Sequence, residues 1–471
     1  MMVRSLLRSL AALWVAVCVL PATAGAIEVQ RVESPGGLTA WLVEDHAAPV
    51  ISVEFAFRGG TALDPEGRTG LATLTMGLLD EGAGKYDAVA FRKRLEARAI
   101  RLGFGAGRDM VHGSLRTLTR NRAEAFRLLR LALTKPRFDP DPVKRVRGQL
   151  LSGLRQELKD PTARAWKGFV RTMFPDHPYG KPPGGTIEGI KAVTVADMKA
   201  FLERRLARDN LVIGVAGDIT PEKLGRLLDK TFGGLSAEAA PWRLPPGKPS
   251  AGGGVKVLEQ DVPQTVGVFG QGGIARDNPD YYAAKVVNHV LGGSGLTSRL
   301  MKTIRKERGL AYGVYSTLLP IKFGPLVVGR VATRNAKFGE SLALLRKEWR
   351  RMAEEGPTKQ ELKDAKRYLT GSFPLKFDST VKIADMLVGM QVYDLGIDYL
   401  DRRNKLIEKV DLETAKRVAG ELFRPAKLTV VAAGQPEGLK KGGKKGGKKG
   451  NNKGKKGNQG GGGGGAPPPP P

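Results

Sequence analysis

Residues 42–60 read LVEDHAAPVISVEFAFRGG, and residues 256–274 read KVLEQDVPQTVGVFGQGGI. Each stretch contains a cluster of acidic or amide residues, then a proline, an alternating run rich in valine and phenylalanine, and a pair of glycines. Such an alternation of residue types is typical of a half-buried β-strand. The two stretches indicate an internal repeat with a period of roughly 215 residues. The corresponding positions are Pro49 and Pro263, Phe55 and Phe269, and Gly59 and Gly273.

The far ends of the two copies also match. Residues 211–218 read LVIGVAGD and residues 428–435 read LTVVAAGQ, which predicts a further strand in each copy. Between the strands, apolar residues recur with the period of an α-helix. The sequence therefore predicts an α+β architecture of two similar domains, each with strands at its ends and helices between them. The predicted helical segments include 123–133, 143–158, 195–205 and 221–232.

The segment 240–254 between the two copies is rich in proline and glycine, which is typical of a linker. It divides the body of the chain into an N-terminal domain, 27–239, and a C-terminal domain, 255–439. Two homologous domains joined by a linker usually face each other, so we expect a cleft between them. This architecture alone specifies no chemistry.

The composition excludes several classes of protein. The chain has 471 residues, of which 41% are hydrophobic and 26% are charged, so it is not disordered throughout. A single cysteine excludes a disulfide scaffold. The formal net charge of +30 permits nonspecific attraction to nucleic acid or anionic lipid, but no motif indicates a specific nucleic-acid partner.

The first 26 residues have the features of a secretory signal peptide. Two arginines precede the apolar run 10–20, and small residues at Ala24 and Ala26 offer cleavage sites. Cleavage there removes Cys18, so the mature chain has no thiol that requires a particular redox compartment. We therefore expect a periplasmic or secreted protein, with an uncleaved membrane anchor as the alternative.

The C-terminal segment, 440–471, consists of lysine pairs separated by glycine, then a glycine run and five prolines. It has no large apolar residue, so we expect it to be disordered. Its nine lysines could make nonspecific contact with anionic components of the cell envelope. A solubilising tail without a partner is the alternative.

A second pattern begins at the first glycine pair. Residues 57–72 read FRGGTALDPEGRTGLA, which resembles the lead-in to the zinc helix of the insulinase/pitrilysin family of metallopeptidases. In that family the helix carries the motif H-x-x-E-H, with two zinc ligands one turn apart and a glutamate as general base. In this chain Thr73 and Gly77 occupy the histidine positions and Met76 occupies the glutamate position. None of the three side chains suits the zinc chemistry.

The remaining candidate ligands are scattered. The family's third ligand, a glutamate, would fall near Gly153 or Leu154, and Glu157 is displaced from this position by about one helical turn. The four histidines are too far apart in the sequence to form a local two-histidine motif. We therefore expect no metal site in this chain, with an active metallopeptidase that uses unorthodox ligands as the alternative. The histidines are His46, His112, His177 and His289.

The C-terminal copy retains a different feature of the family. Residues 291–316 read LGGSGLTSRLMKTIRKERGLAYGVYS, which resembles the family's glycine-rich loop and R-x6-Y motif. The resemblance implies that Arg305 and Tyr312 reach towards a peptide bound at the zinc, where both groups can donate hydrogen bonds. It also implies that Gly292 and Gly293 let the peptide approach the backbone closely. Taken singly, Arg305 could be an ordinary surface cation and Tyr312 a half-buried strand residue.

Within the insulinase/pitrilysin family, some bacterial members divide these parts between two similar subunits. The resemblance covers roughly 28–435 and implies two insulinase-like domains that act as the non-catalytic subunit of an exported zinc peptidase. The implied partners are a homologous subunit with H-x-x-E-H, which would hold the zinc, and a peptide substrate. A structural or peptide-binding scaffold without a proteolytic role is the alternative.

Overall fold

The computed structural model describes residues 27–439 apart from Trp242 and Ser294. The predicted signal peptide, 1–26, and the predicted disordered tail, 440–471, lie outside the described residues. Within the described part of the chain, no helix is long and apolar enough to cross a bilayer.

The first half of the chain builds a six-stranded mixed sheet in the order β1-β2-β6-β3-β5-β4. The strands β2 and β6 pair in parallel, and the other neighbours are antiparallel. The strands are β1 (Gln30–Glu33), β2 (Thr39–Glu44), β3 (Val50–Arg58), β4 (Arg101–Ala106), β5 (Met110–Leu118) and β6 (Leu211–Gly217). The helices are α1 (Leu71–Met76), α2 (Ala88–Glu96), α3 (Arg122–Thr134), α4 (Pro140–Glu157), α5 (Pro161–Met173), α6 (Ile187–Ala192), α7 (Val195–Arg205) and α8 (Pro221–Phe232).

The second half builds a five-stranded sheet in the order β7-β11-β8-β10-β9. A π-helix, Met301–Lys306, precedes the edge strand β9. The strands are β7 (Gly254–Glu259), β8 (Gln264–Gly272), β9 (Ala311–Leu319), β10 (Leu326–Arg334) and β11 (Thr429–Gly434). The helices are α9 (Tyr281–Gly292), α10 (Phe338–Glu355), α11 (Lys359–Gly371), α12 (Thr380–Val392), α13 (Tyr399–Glu408) and α14 (Leu412–Leu422).

The two sheets confirm the internal repeat and the predicted α+β class. The order β2-β6-β3-β5-β4 in the first sheet corresponds strand for strand to β7-β11-β8-β10-β9 in the second. Both quoted stretches contain the central strand of their sheet, β3 or β8, and the matching ends of the copies form β6 and β11. The predicted helical segments coincide with α3, α4, α7 and α8. The exact domain boundaries remain predictions.

Equivalent phenylalanines lie at the centre of the two cores. Phe55 on β3 is buried and makes edge-on ring contacts with Phe57, Phe104 and Phe232 at centroid distances of 5.4–6.4 Å. Phe269 on β8 is buried edge-on against Trp349 of α10 at 5.9 Å. Each sheet thus packs one face on the helices of its own half, because alternate residues of a strand point to the same side.

The opposite face of each sheet is covered by one helix from the other half. Helix α12 lies on β3 and β6, where a Cβ added to Gly214 would come within 2.3 Å of the Ala384 carbonyl oxygen. Helix α5 lies on β8 and β11, and its buried Phe169 packs among Val268, Val328 and Val431. The two halves therefore exchange helices, and each contributes to the core of the other.

Candidate functional site

Helix α1 contains the three positions at which this chain departs from the family's zinc motif. The helix is short and begins at a tight turn. Gly70 precedes it with a φ of 98°, a conformation that favours glycine. The buried carboxylate of Asp64 accepts hydrogen bonds from the backbone N–H groups of Gly70 at 2.6 Å and Ala72 at 3.0 Å. Burial raises the pKa of Asp64 to about 6, although these N–H groups favour its charged form. The family-like sequence before α1 thus folds into a capped helix start.

The three degenerate positions have structural roles instead. The Thr73 hydroxyl donates to the carbonyl oxygen of Pro183 at 3.1 Å, so it is engaged within the fold. Met76 is 0% exposed and belongs to the hydrophobic core of the first half. Gly77 ends the helix, and its N–H bonds back to the Thr73 carbonyl. These residues do not fit a zinc site, since none is a histidine, cysteine, aspartate or glutamate.

The position of the third family ligand is also altered. Leu154 on α4 is buried in the same core, whereas Glu157 forms an ion pair with Lys167 at 2.5 Å. Across residues 27–439, leaving aside 242 and 294, no three His, Cys, Asp or Glu side chains are grouped to hold a metal ion.

The four histidines have separate environments. His46 forms a hydrogen bond with the Asp218 carboxylate at 2.7 Å, and this bond is the main cause of the raised pKa of His46. His177 bonds the Pro245 carbonyl oxygen through Nε2 at 2.9 Å. His112 lies on β5 and His289 on α9, and burial lowers the pKa of both histidines.

The predicted Arg/Tyr pair comes together at the start of β9. The Arg305 guanidinium lies over the Tyr312 ring with 4.8 Å between its carbon and the ring centroid, within the range of a cation–π contact. Tyr312 is 88% exposed, so it is not a half-buried strand residue. Within the described residues, neither side chain makes a hydrogen bond or ion pair, so their donors face solvent.

The π-helix that carries Arg305 is fixed by buried neighbours. Met301 and Ile304 are buried, and the Met301 sulfur accepts from the backbone N–H of Val314 at 3.5 Å. Just before the π-helix, Arg299 forms two hydrogen bonds with the carboxylate of Glu361, at 2.8 and 2.7 Å. This bidentate pairing contributes to the low pKa of Glu361, about 2. The exposed pair is thus held on a rigid base.

The glycine-rich loop follows α9 and packs against β9. A Cβ added to Gly292 would come within 2.4 Å of the Ser316 hydroxyl oxygen, and one added to Gly293 within 2.3 Å of Nδ1 of His289. Close packing inside the chain therefore requires glycine at both positions. The contact of Gly292 and Gly293 with the backbone of a bound peptide remains a prediction.

Beside the pair, a pocket of about 650 Å³ lies between α9, the glycine-rich loop, β9 and α11. Lys285 of α9 lines it, and burial lowers the pKa of this lysine to about 7. The sequence reasoning missed Lys285. A signal was present, because Lys285, Asn288 and His289 share one face of an otherwise apolar helix.

Known proteins resemble this chain over most of its length. A sequence profile described as Peptidase M16 inactive domain matches residues 192–369. The non-peptidase homolog YmxG of Helicobacter pylori is 31% identical over 334 residues, which cover 71% of this chain and 77% of that protein. An uncharacterized zinc protease of Mycobacterium leprae is 27% identical over 357 residues, which cover 75% of this chain and 80% of that protein.

A solved structure gives the same result for the fold. The crystal structure of the peptidase M16 inactive domain from Pseudomonas fluorescens matches with a TM-score of 0.82 and 29% sequence identity. The match covers 88% of this chain and 99% of that one. The chain therefore belongs to the peptidase M16 family of insulinase/pitrilysin-like proteins, as a member without the H-x-x-E-H motif.

Proposed function

We propose that this chain is the exported, non-catalytic subunit of a two-subunit M16 peptidase. Its partner is a homologous subunit that carries H-x-x-E-H and binds zinc. This chain closes the chamber on the partner's site and contributes Arg305 and Tyr312 to the bound peptide. The signal-peptide-like start of the sequence supports export.

One observation carries the proposal: Arg305 and Tyr312 contact each other, but among the described residues neither side chain has a hydrogen-bond or ion-pair partner. Arg299, six residues before Arg305, binds the carboxylate of Glu361 at 2.7 Å. Arg305 instead stacks on an exposed tyrosine ring, and neither side chain has a partner in the described part of the chain for its hydrogen-bond donors. Such a pair on a rigid support is suited to a ligand that brings its own acceptors.

The chemistry of the pair fits a peptide carbonyl. A guanidinium and a phenolic hydroxyl both donate hydrogen bonds, and such donors stabilise the negative charge that develops on the carbonyl oxygen during hydrolysis. Zinc in the partner would activate the attacking water. Arg305 and Tyr312 would orient the peptide from the opposite side and strengthen their hydrogen bonds as the charge develops.

The changed positions of α1 support the division of roles. Thr73, Met76 and Gly77 are used in packing and helix termination, so the same fold here lacks both the ligands and the general base. The relative named a non-peptidase homolog is in keeping with this proposal.

Reconstitution with a homologous H-x-x-E-H subunit tests the partnership. The two mature chains are purified separately, and their mixture is studied by gel filtration, zinc analysis and hydrolysis of a fluorogenic peptide. We expect a hetero-oligomer with zinc in the partner only and activity well above that of either chain alone. Stoichiometric zinc in this chain, with chelator-sensitive proteolysis by it alone, would overturn the proposal.

A further inference from the structure

The pocket beside the Arg/Tyr pair has a cationic interior. Its helical wall is the polar face of α9, where Lys285 and His289 are one turn apart. The opposite wall is the β9 segment 313–318, which begins directly after Tyr312. Lys376 closes the pocket from the short helical turn after α11. Among the described residues that line the pocket, none is acidic.

Lys285 is partly buried in the wall of the pocket. Across the described residues its ammonium group makes no ion pair and no hydrogen bond. Burying an unpaired charge is costly, and an apolar side chain would fill this position of α9 without that cost. Arg299, whose side chain is 5% exposed, shows the usual arrangement because it pairs with Glu361. Lys285, in contrast, has no acidic group beside it among the described residues of the pocket lining.

The surrounding charges also favour an anion. The charged groups that face Lys285 are the cations Arg403 of α13, Lys376 and Arg276. Asn288, on the same wall, is a neutral amide and is engaged with Ser316 through hydrogen bonds of 3.0 and 2.8 Å. A bound anion would supply the missing charge.

We propose that this pocket binds a carboxylate group of the peptide held by Arg305 and Tyr312, so the preferred substrates are peptides that place a side-chain or terminal carboxylate in the pocket. The inference rests on the proposed function, since it names the substrate class of the same site. Tyr312 and Gly313 are adjacent, so a peptide held at the pair reaches the pocket within a few residues at about 3.3 Å per residue. The volume of about 650 Å³ lies within the usual range for ligand sites.

The pocket also predicts a pH dependence of binding. Burial first, and then the nearby cations, lower the pKa of Lys285 to about 7, while burial and Lys285 lower the pKa of His289. The charged form of Lys285 is therefore lost as the pH rises above about 7, and a carboxylate that binds it opposes this loss. Carboxylate binding is expected to weaken between pH 6 and pH 9.

Calorimetry with the mature chain and matched peptides tests the proposal. Three peptides of ten residues differ only in charge: a central Glu with an amidated end, a central Gln with an amidated end, and a central Gln with a free C-terminal carboxylate. We expect one or both carboxylate peptides to bind about tenfold more tightly than the uncharged peptide, the effect of one charge-assisted hydrogen bond. The Lys285→Met variant should lose this preference, whereas the matched exposed-lysine control Lys363→Met should keep it.

The three peptides distinguish the source of the carboxylate. A preference for the central Glu indicates a side-chain carboxylate, and a preference for the free end indicates the peptide terminus; either supports the pocket if it depends on Lys285. Equal binding of all three peptides, a preference that survives Lys285→Met, or no binding of any peptide overturns the proposal.

A second measurement uses the wild-type chain and so does not depend on the folding of a variant. Competitive acetylation at pH 7.5, read by mass spectrometry, compares Lys285 with the exposed Lys363. The carboxylate peptide should protect Lys285 and leave Lys363 unchanged; equal labelling with and without the peptide contradicts the proposal. Because these assays use this chain alone, their outcome is independent of whether a zinc-bearing partner is activated.

Discussion

At the scale of single residues, the degenerate zinc helix shows how one position acquires a different physical role. Met76 stands where the family has its general base, and here it is fully buried in the core between the first sheet and its helices. Thr73 and Gly77 are likewise satisfied within the fold. These positions now contribute to stability.

Met76→Glu is therefore expected to destabilise the protein. A carboxylate at this site would be buried without a partner, which costs about 2–5 kcal/mol of unfolding free energy or forces local opening. Met76→Leu, which conserves volume, should cost less than about 1.5 kcal/mol. Chemical denaturation of the two variants measures the difference; equal stability of both would contradict the assignment of Met76 to the core.

Glu54 on β3 makes stability depend on pH. It faces α12, and burial, followed by the charge of Asp385, raises its pKa to about 7. The folded protein thus keeps a proton that the unfolded chain loses near pH 4.5, so this group's contribution to stability falls as the pH rises from 4.5 to 7. Glu54→Gln should raise the melting temperature at pH 8 and change it little at pH 5. An equal shift at both pH values would show that proton binding is not the cause.

Residue identity in the candidate site could be predicted from sequence only where a motif exists. The R-x6-Y spacing located Arg305 and Tyr312, and the structure brings the two side chains within 4.8 Å. Lys285 belongs to no motif, and its isolation depends on which neighbours the fold places around it. Two of its three cationic neighbours, Lys376 and Arg403, come from distant parts of the chain.

At the scale of elements, the main finding is the exchange of α5 and α12 between the two halves. Both helices lie on a sheet whose strands come from the other copy of the repeat. The glycine at each contact allows close approach, as at Gly214 under α12 and Gly168 of α5 against Leu258.

Two glycine substitutions should have opposite effects. Gly214→Ala places a methyl group within 2.3 Å of the Ala384 carbonyl oxygen and must displace α12, so stability should fall. Gly148→Ala lies on the exposed side of α4 with no atom within 4 Å of the new Cβ, and should stabilise by about 0.5–1 kcal/mol through helix propensity. Thermal unfolding measures both; destabilisation by Gly148→Ala, or none by Gly214→Ala, would contradict the packing.

The helices and strands themselves were predictable, whereas the exchange was not. Alternation and helical periodicity depend on which residues are apolar, and they located α3, α4, α7 and α8 together with the central strands. The same periodicity gives no information about which sheet covers an apolar helical face. The exchange depends on long-range packing.

At the scale of the whole molecule, the exchanged helices couple the two halves. The described residues up to Gly438 belong to one compact unit, and each sheet loses a covering helix if the other half unfolds. We therefore expect a single cooperative unfolding transition.

Tryptophan fluorescence can test this coupling. Trp41 lies on β2 of the first sheet and Trp349 in the second core, so variants in which one of these is the single tryptophan left of the chain's five report on each half. Their denaturation midpoints should coincide with each other and with the loss of helical circular dichroism. Two separated transitions would mean that the halves are independent domains.

The large net positive charge of the chain does not by itself indicate what the protein does. Part of the net +30 belongs to the terminal segments outside the described residues. The two cations that bear on the proposed function are Arg305 and Lys285, and both lie near β9.

The central claim is that Arg305 and Tyr312 act on a peptide at a partner's zinc. The most direct test is the kcat/KM of the reconstituted complex with Arg305→Ala and Tyr312→Phe, compared with Arg94→Ala and Tyr86→Phe, a cation–π pair in the first half with a 4.6 Å spacing. Losing one oxyanion donor should lower kcat/KM about 100-fold, while assembly and zinc content stay unchanged. If the Arg305 and Tyr312 variants are as active as wild type, the pair does not serve catalysis and the account is wrong.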